Sequence, residues 1–223
     1  MGLDMRPMGK PKPGFEERFL EIYRIIKGID KQHISFIDRL KGKRLPTNDE
    51  LLNEFYNNII TTYETVKAPK IGRDKEANDW ARNLYEKTDK EISFEEYLNN
   101  YGEFYVLDLA KELDGIPVYC SIGQDENVFR GQFLKDCIDL IGENLVNEAW
   151  ESKLADETLD YGNRLMQAAD IIAQKHNLQH LKSQRLPPED TDETLDSKLH
   201  VIYSLAKWLI FYGKNGHGYD ADF

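Results

Sequence analysis

Residues 201–212, VIYSLAKWLIFY, form the longest apolar run of the chain, and Ser204 and Lys207 interrupt it. A helix of this composition is apolar nearly all round, which is typical of a helix buried in the middle of a fold. Gly213 follows the run and is a favourable residue for ending a helix. The run is shorter than the roughly 18–20 apolar residues that span a bilayer, so we expect a central buried helix and no membrane partner.

Helix start and stop signals recur through the rest of the chain. Residues 15–27 have apolar residues at helical spacing, and Gly28 can end that helix. Thr47 and Glu50 form a capping-box pattern that predicts a helix near residues 48–62. Further helices are predicted over 74–87, after a Ser93 cap, over 128–141 with Gly142 as its end, from Leu145 toward Asn177, and from a capping-box-like start at Asp190 and Glu193.

Residues 104–122 depart from the helical pattern. One interpretation is a β-hairpin in which Asp114-Gly115 is the turn between two β-prone runs. Pro117 restricts the second run to an edge strand or to a strand that starts after it. The other interpretation is a helix over residues 106–113 that ends at Gly115, and the sequence leaves both open.

The predicted fold is mostly α, with an α+β character that comes from a small β-hairpin or edge strand near 104–122. We expect a compact helical domain that includes all residues 1–223, because the polar linker near residues 184–192 is short. A Pro-rich lead occupies residues 6–14, and a Gly-rich tail occupies residues 213–223.

The net charge of the chain is −11, and it is unevenly distributed. Residues 1–90 contain 18 Lys and Arg against 15 Asp and Glu, whereas residues 91–223 contain 11 against 25. Because affinity for nucleic acid comes chiefly from basic side chains that meet phosphates, this acidity argues against nucleic acid as a partner. It favours a basic protein partner instead.

The cysteines and the N-terminal sequence predict a cytoplasmic location. Cys120 and Cys137 lie in apolar surroundings without a Cys-x-x-Cys spacing, so we expect two reduced thiols that act as small buried side chains. The first residues have neither the apolar region nor the cleavage site of a secretory signal.

The densest cluster of chemistry-bearing residues is in the tail. His217 lies between two glycines, and Asp220 and Asp222 follow it. Imidazole and carboxylate groups are common ligands of divalent metals, so these three residues are the predicted metal ligands. Arg130 stands in an otherwise apolar run and is a candidate either for an ion pair or for an anion clamp.

Two functions follow as hypotheses. The first is a non-catalytic, acidic protein-interaction module of the toxin-neutralising or anti-factor type, with no cofactor, in which Arg130, Trp208 and Tyr219 are candidate ligand-binding or partner-binding residues. The second is a metal-assisted hydrolase or small-molecule binder centred on His217, Asp220 and Asp222, with a divalent metal as its cofactor. No recognisable catalytic motif favours an enzyme.

Overall fold

The computed structural model describes residues 2–34, 40–119, 122–123, 127–188 and 194–223. It is 57% helical with a few short strands, which confirms the predicted mostly α fold class. Cys120 and the expected helix start at Asp190 and Glu193 lie outside the described residues.

The chain divides into two compact units. One comprises Gly9–Thr61, and the other comprises Met1–Met8 with Thr62–Phe223. The expectation of one globular domain over residues 1–223 therefore stays a prediction.

The helices and strands are named here in chain order. They are β1 (Asp4–Pro7), β2 (Lys10–Pro11), α1 (Glu16–Ile26), α2 (Asn48–Asn57), β3 (Ile59–Ile60), α3 (Thr62–Val66), α4 (Lys75–Tyr85), α5 (Phe94–Asn100), β4 (Tyr105–Val106), β5 (Ile122–Gly123), β6 (Phe129–Arg130), α6 (Ile138–Asn147), α7 (Ala155–His176), α8 (Leu195–Lys214) and β7 (Tyr219–Asp222). Short 3-10 turns cover Leu107–Leu109, Lys111–Leu113, Gly131–Cys137, Glu148–Trp150 and Gln179–Lys182.

The smaller unit contains α1, α2 and the β2–β3 pair. The capping box at the start of α2 is confirmed, because the Thr47 side chain accepts a hydrogen bond from the Glu50 backbone and the Glu50 side chain accepts one from the Thr47 backbone. Phe19 of α1 stacks on Phe55 of α2 with ring centroids 4.8 Å apart. This ring contact joins the two helices.

The core of the larger unit is the packing of α7 against α8. An added Cβ at Gly162 of α7 would lie 2.9 Å from the backbone nitrogen of Ile210, and one at Gly213 of α8 would lie 2.7 Å from that of Leu159. Both glycines therefore permit close helix contact. The expectation that Gly213 ends the final helix is wrong, since this packed residue lies inside α8 and Asn215 caps it.

A three-stranded antiparallel sheet, in the order β6-β1-β7, lies in the same unit. Pairing of Met5 with both Phe129 and Ala221 brings the two ends of the unit together. The helix predicted over residues 128–141 is therefore wrong at its start, because Phe129 and Arg130 hydrogen-bond to β1. Gly142 does interrupt α6, with a φ of 80°.

The β element expected near residues 104–122 is present as the β4–β5 pair, in which Val106 is opposite Ile122. The residues after β4 form 3-10 turns, so neither a hairpin around Asp114-Gly115 nor a continuous α-helix over 106–113 is correct. Gly115 has a φ of 76° and ends the second 3-10 turn.

Helix α8 begins after Thr194, whose side-chain oxygen accepts a hydrogen bond from the Ser197 backbone nitrogen at 3.3 Å. The buried residues of α8 lie on all of its sides, as its composition predicts. Among the described residues, none of the helices combines the length and apolar character needed to cross a membrane. Cys137 is buried, and burial raises the pKa of its thiol to about 12.

Candidate functional site

Three polar residues share one face of the mainly apolar helix α8. His200, Ser204 and Lys207 are spaced by four and three residues, and this spacing places them in a single stripe. His200 and Ser204 are buried, and Lys207 is half-buried. Polar groups in a buried position need partners, so the surroundings of this stripe are informative.

The stripe lines a cavity of about 400 Å³ within the larger unit. This size lies in the range of small-molecule sites in proteins. The described lining residues come from the 3-10 and loop region before β5, from β6 and its following turn, from the segment before α8, and from α8 itself. They are Asp108, Gly115, Ile116, Pro117, Val118, Tyr119, Phe129, Phe133, Gln184, Arg185, Leu186, Pro187, His200, Val201, Ser204 and Lys207.

His200 is the buried polar group of this cavity. Its side chain is on the wall, the residue is 8% exposed, and Nε2 has no hydrogen-bond partner among the described residues. Burial lowers the pKa of the imidazole, the positive charge of Lys207 lowers it further, and the Gln184 backbone carbonyl opposes both effects. The ring is therefore neutral near pH 7 and presents a polar nitrogen that water does not reach.

Two cationic side chains accompany His200. Lys207 and Arg185 both line the cavity, and no carboxylate of the described residues forms an ion pair with either of them. Burial lowers the pKa of Lys207, and the nearby Lys182 adds to this effect. Asp108, whose side chain is exposed, is the acidic residue of the described lining. The described lining therefore has a surplus of positive charge.

Asn127 holds one wall of the cavity in place. This 1% exposed residue donates from Nδ2 to the Pro117 carbonyl at 2.7 Å, and its Oδ1 accepts from the Tyr119 backbone nitrogen at 3.0 Å. Its own carbonyl accepts a hydrogen bond from Nε1 of Trp208 at 2.9 Å. The wall at residues 117–119 is thereby joined to α8, which carries the polar stripe.

Large apolar side chains surround the polar stripe. Tyr119, Phe133 and Leu186 are 45%, 41% and 74% exposed, and all three line the cavity. Phe129 lies beneath them, 1% exposed, with its ring in edge contact with Tyr119 at a centroid distance of 4.9 Å. Exposed apolar side chains that converge on one concave site are typical of a ligand site.

A second cavity, of about 610 Å³, is lined mainly by charged residues near the start of α4. Two of its cations already have partners, because Lys67 pairs with Glu112 at 2.8 Å and Arg73 pairs with Asp74 at 3.0 Å. The His200 cavity is therefore the better candidate site.

The tail residues predicted to bind a metal lie in different surroundings. His217 is completely buried, with Nδ1 2.8 Å from the Met8 carbonyl oxygen and Nε2 2.8 Å from Oγ1 of Thr65. Asp220 accepts a hydrogen bond from the Ser152 hydroxyl. The ring nitrogens of His217 therefore join the tail to two other segments of its unit.

Asp222, the third predicted ligand, lies at the exposed end of β7, where its carboxylate is 3.4 Å from Nε of Arg6. Within the described part of the chain, no three His, Cys, Asp or Glu side chains are arranged to hold a metal ion. The structure does not bring His217, Asp220 and Asp222 together as a ligand set.

The three residues predicted to bind a ligand or partner have structural contacts. Nε of Arg130 lies 3.3 Å from a carboxylate oxygen of Asp4, which is the ion-pair alternative. Trp208 and Tyr219 have no exposed surface, and the Tyr219 hydroxyl donates to the Glu148 carbonyl at 3.1 Å. Both rings pack in the core, and the ligand-binding or partner-binding role of these residues stays a prediction.

The sequence contains a signal for this site. Ser204 and Lys207 interrupt an apolar run, and His200 stands directly before that run. Their spacing of four and three residues places the three on one helix face. Arg185 and Asn127 carry no such signal, because only the tertiary fold brings them to α8.

The chain was compared with protein-family models, with curated proteins and with solved structures, and none of the three comparisons returned a match.

Proposed function

We propose that this protein binds a small organic molecule with a largely apolar body in the cavity beside α8. The observation that carries the proposal is a cavity large enough for a ligand, whose wall combines apolar side chains with the polar stripe of His200, Ser204 and Lys207. Nε2 of His200 has no hydrogen-bond partner among the described residues, and a buried polar atom without a partner has a substantial free-energy cost.

The apolar lining supplies the rest of the proposed affinity. Burial of apolar ligand surface against Phe129, Phe133 and Val201 gains roughly 25 cal/mol per Å² before the costs of association. The polar stripe then selects molecules that place one polar group beside it. This division between an apolar body and one polar anchor is usual for small-molecule sites.

Titration with N-phenyl-1-naphthylamine tests the proposal. This probe is apolar, carries one N–H donor and becomes fluorescent when it leaves water. We expect saturable binding of one probe per chain. Ser204→Leu, which places a larger side chain between His200 and Lys207 on the cavity wall, should abolish it. The matched control is Ser183→Leu, because Ser183 is exposed and does not line the cavity.

His200→Phe provides a second test that does not depend on filling the cavity. It keeps a ring at this position but removes the polar nitrogen, so probe binding should weaken by roughly two- to tenfold. His176→Gln is the control, because His176 is exposed near the end of α7. Unsaturable probe fluorescence, or equal binding by Ser204→Leu and wild-type protein of equal thermal stability, would refute the proposal.

The acidic interaction module remains a second proposal, with a basic protein partner and a cytoplasmic location. Its support is the excess of Asp and Glu over residues 91–223. Several of these carboxylates are neutralised within the chain, since Glu148 pairs with Arg164 at 2.6 Å and Asp139 pairs with Lys198 at 3.0 Å. Native mass spectrometry of untagged protein tests it. A stoichiometric basic partner that dissociates at high salt would support it, and a bare chain would contradict it.

A further inference from the structure

We propose that the ligand of the His200 cavity carries a carboxylate, so that the cavity takes a molecule with an apolar body and one acidic end. This inference rests on the proposed function and specifies its ligand class. Lys207 and Arg185 both line the cavity, and among the described residues neither forms an ion pair with a carboxylate. A ligand carboxylate would supply the missing negative charge.

Lys207 is the more informative of the two cations. It is half-buried on a helix whose neighbouring residues, Ala206 and Trp208, are completely buried. Burial of an ammonium group is unfavourable unless an anion or a set of hydrogen bonds compensates for it. Lys182, which is also nearby, is already paired with Asp170 at 2.8 Å and adds positive charge near Lys207.

Lys207 and Arg185 together suit a carboxylate with two oxygens. Lys207 lies seven positions after His200 on α8 and therefore on the same face, two turns away. One oxygen can accept a hydrogen bond from the Lys207 ammonium, and the other can accept one from the Arg185 guanidinium. Asp108 adds one negative charge to the described lining, which still leaves a net positive charge.

The apolar residues restrict the rest of the ligand. Because Ile116, Val118 and Phe133 line the same cavity, a small inorganic anion would leave most of the lining uncovered. An alkyl or aromatic carboxylate covers it. Both have the same recognition chemistry, and the shape of the body distinguishes them.

Matched acid and alcohol pairs test the inference by displacement of N-phenyl-1-naphthylamine. The aromatic pair is 1-naphthoate and 1-naphthol, and the aliphatic pair is octanoate and 1-octanol. In at least one pair the acid should displace the probe at a roughly tenfold lower concentration than the alcohol, because hydrogen bonds to a charged group are stronger. Added KCl should weaken the acid and leave the alcohol unchanged.

Two variants test whether the cations of the cavity cause the preference for the acid over the alcohol. Lys207→Gln and Arg185→Gln should each reduce the preference for the acid several-fold without changing displacement by the alcohol. The control is Lys214→Gln, since Lys214 is exposed in the last turn of the same helix and does not line the cavity. The pair that shows the preference identifies an aromatic or an aliphatic body.

The outcomes separate the two proposals. Probe binding with equal displacement by acid and alcohol, or with no displacement by either acid, refutes the carboxylate inference and leaves the binding function intact. The inference also fails if the acid is preferred equally by wild-type protein and by both cavity variants. If the probe does not bind, both proposals fail.

Discussion

Asn127→Ala removes the contact that holds the wall of the cavity, and its effect can be worked out from the structure. The substitution deletes the hydrogen bond from Nδ2 to the Pro117 carbonyl and the bond from the Tyr119 backbone nitrogen to Oδ1. Each such bond contributes about 1 kcal/mol net, so the free energy of unfolding should fall by about 2 kcal/mol. The bond from Trp208 to the Asn127 carbonyl is retained, because it uses the backbone.

We expect Asn127→Ala to lower both the stability of the protein and its affinity for the probe. For a domain of this size, about 2 kcal/mol corresponds to a decrease in Tm of roughly 4–8 °C. Without Asn127 the segment at residues 117–119 has to be ordered again when a ligand binds. Fixing the backbone of one residue costs about 1–2 kcal/mol, so affinity for N-phenyl-1-naphthylamine should fall about tenfold.

Thermal melts and probe titrations of the same samples measure both quantities. The control is Asn78→Ala, which removes the hydrogen bond from the Gly72 backbone nitrogen at 2.7 Å, because Asn78 does not line the cavity. It should lower Tm without changing the dissociation constant of the probe. The reasoning is refuted if Asn127→Ala has the same Tm and the same probe affinity as wild-type protein.

Three further predictions concern α8 and its neighbours. Gly162→Ala should destabilise the fold by about 1–3 kcal/mol in denaturant melts, because its Cβ would lie 2.8 Å from Leu209 and 2.9 Å from the Ile210 backbone; an unchanged midpoint would contradict this packing. Lys207→Met should raise Tm and weaken displacement by the preferred acid, since it removes a half-buried charge; a lower Tm would argue against an uncompensated cation. The pKa of His200 is lower in the folded protein than in the unfolded chain, so the unfolded chain takes up a proton at a higher pH. The free energy of unfolding should therefore fall as the pH decreases below about 6.5. His200→Gln should reduce that slope in melts between pH 7 and pH 5, and an identical slope would refute the shift.

Local signals in the sequence predict much of the helical structure. The capping box at Thr47 and Glu50 and the Ser93 cap, which accepts from the Glu96 backbone at 3.1 Å, depend on residues three apart and are therefore visible in the sequence. The buried central helix α8 follows from composition alone. In each case the interactions that decide the structure are local.

The sheet could not be predicted in this way, because its partners are far apart in the chain. Phe129 and Arg130 have a helical apolar pattern, yet they pair with β1, and β1 pairs with β7 more than 200 residues away. Likewise, Gly213 looks like a helix end until its contact with Leu159 is known. Long-range pairing and close packing override local preference at these positions.

The candidate site, too, is predictable from the sequence only in part. The stripe of His200, Ser204 and Lys207 could be derived from spacing on a helix, but its significance depends on the cavity that Pro117 and Arg185 help to form. The cluster at His217 and Asp220 was conspicuous because its residues are close in sequence. Its side chains instead join the tail to other segments of the unit, as the Met8 and Ser152 contacts show.

The most direct test of the central claim is a nitrogen NMR spectrum of the histidine rings during titration with N-phenyl-1-naphthylamine. The chain has five histidines, so the His200 signals can be assigned from their absence in His200→Gln. Our account predicts that the Nε2 signal of His200 shifts with the occupancy of the probe, while those of His33, His176 and His180 do not. A His200 signal that stays unchanged at saturation would contradict it.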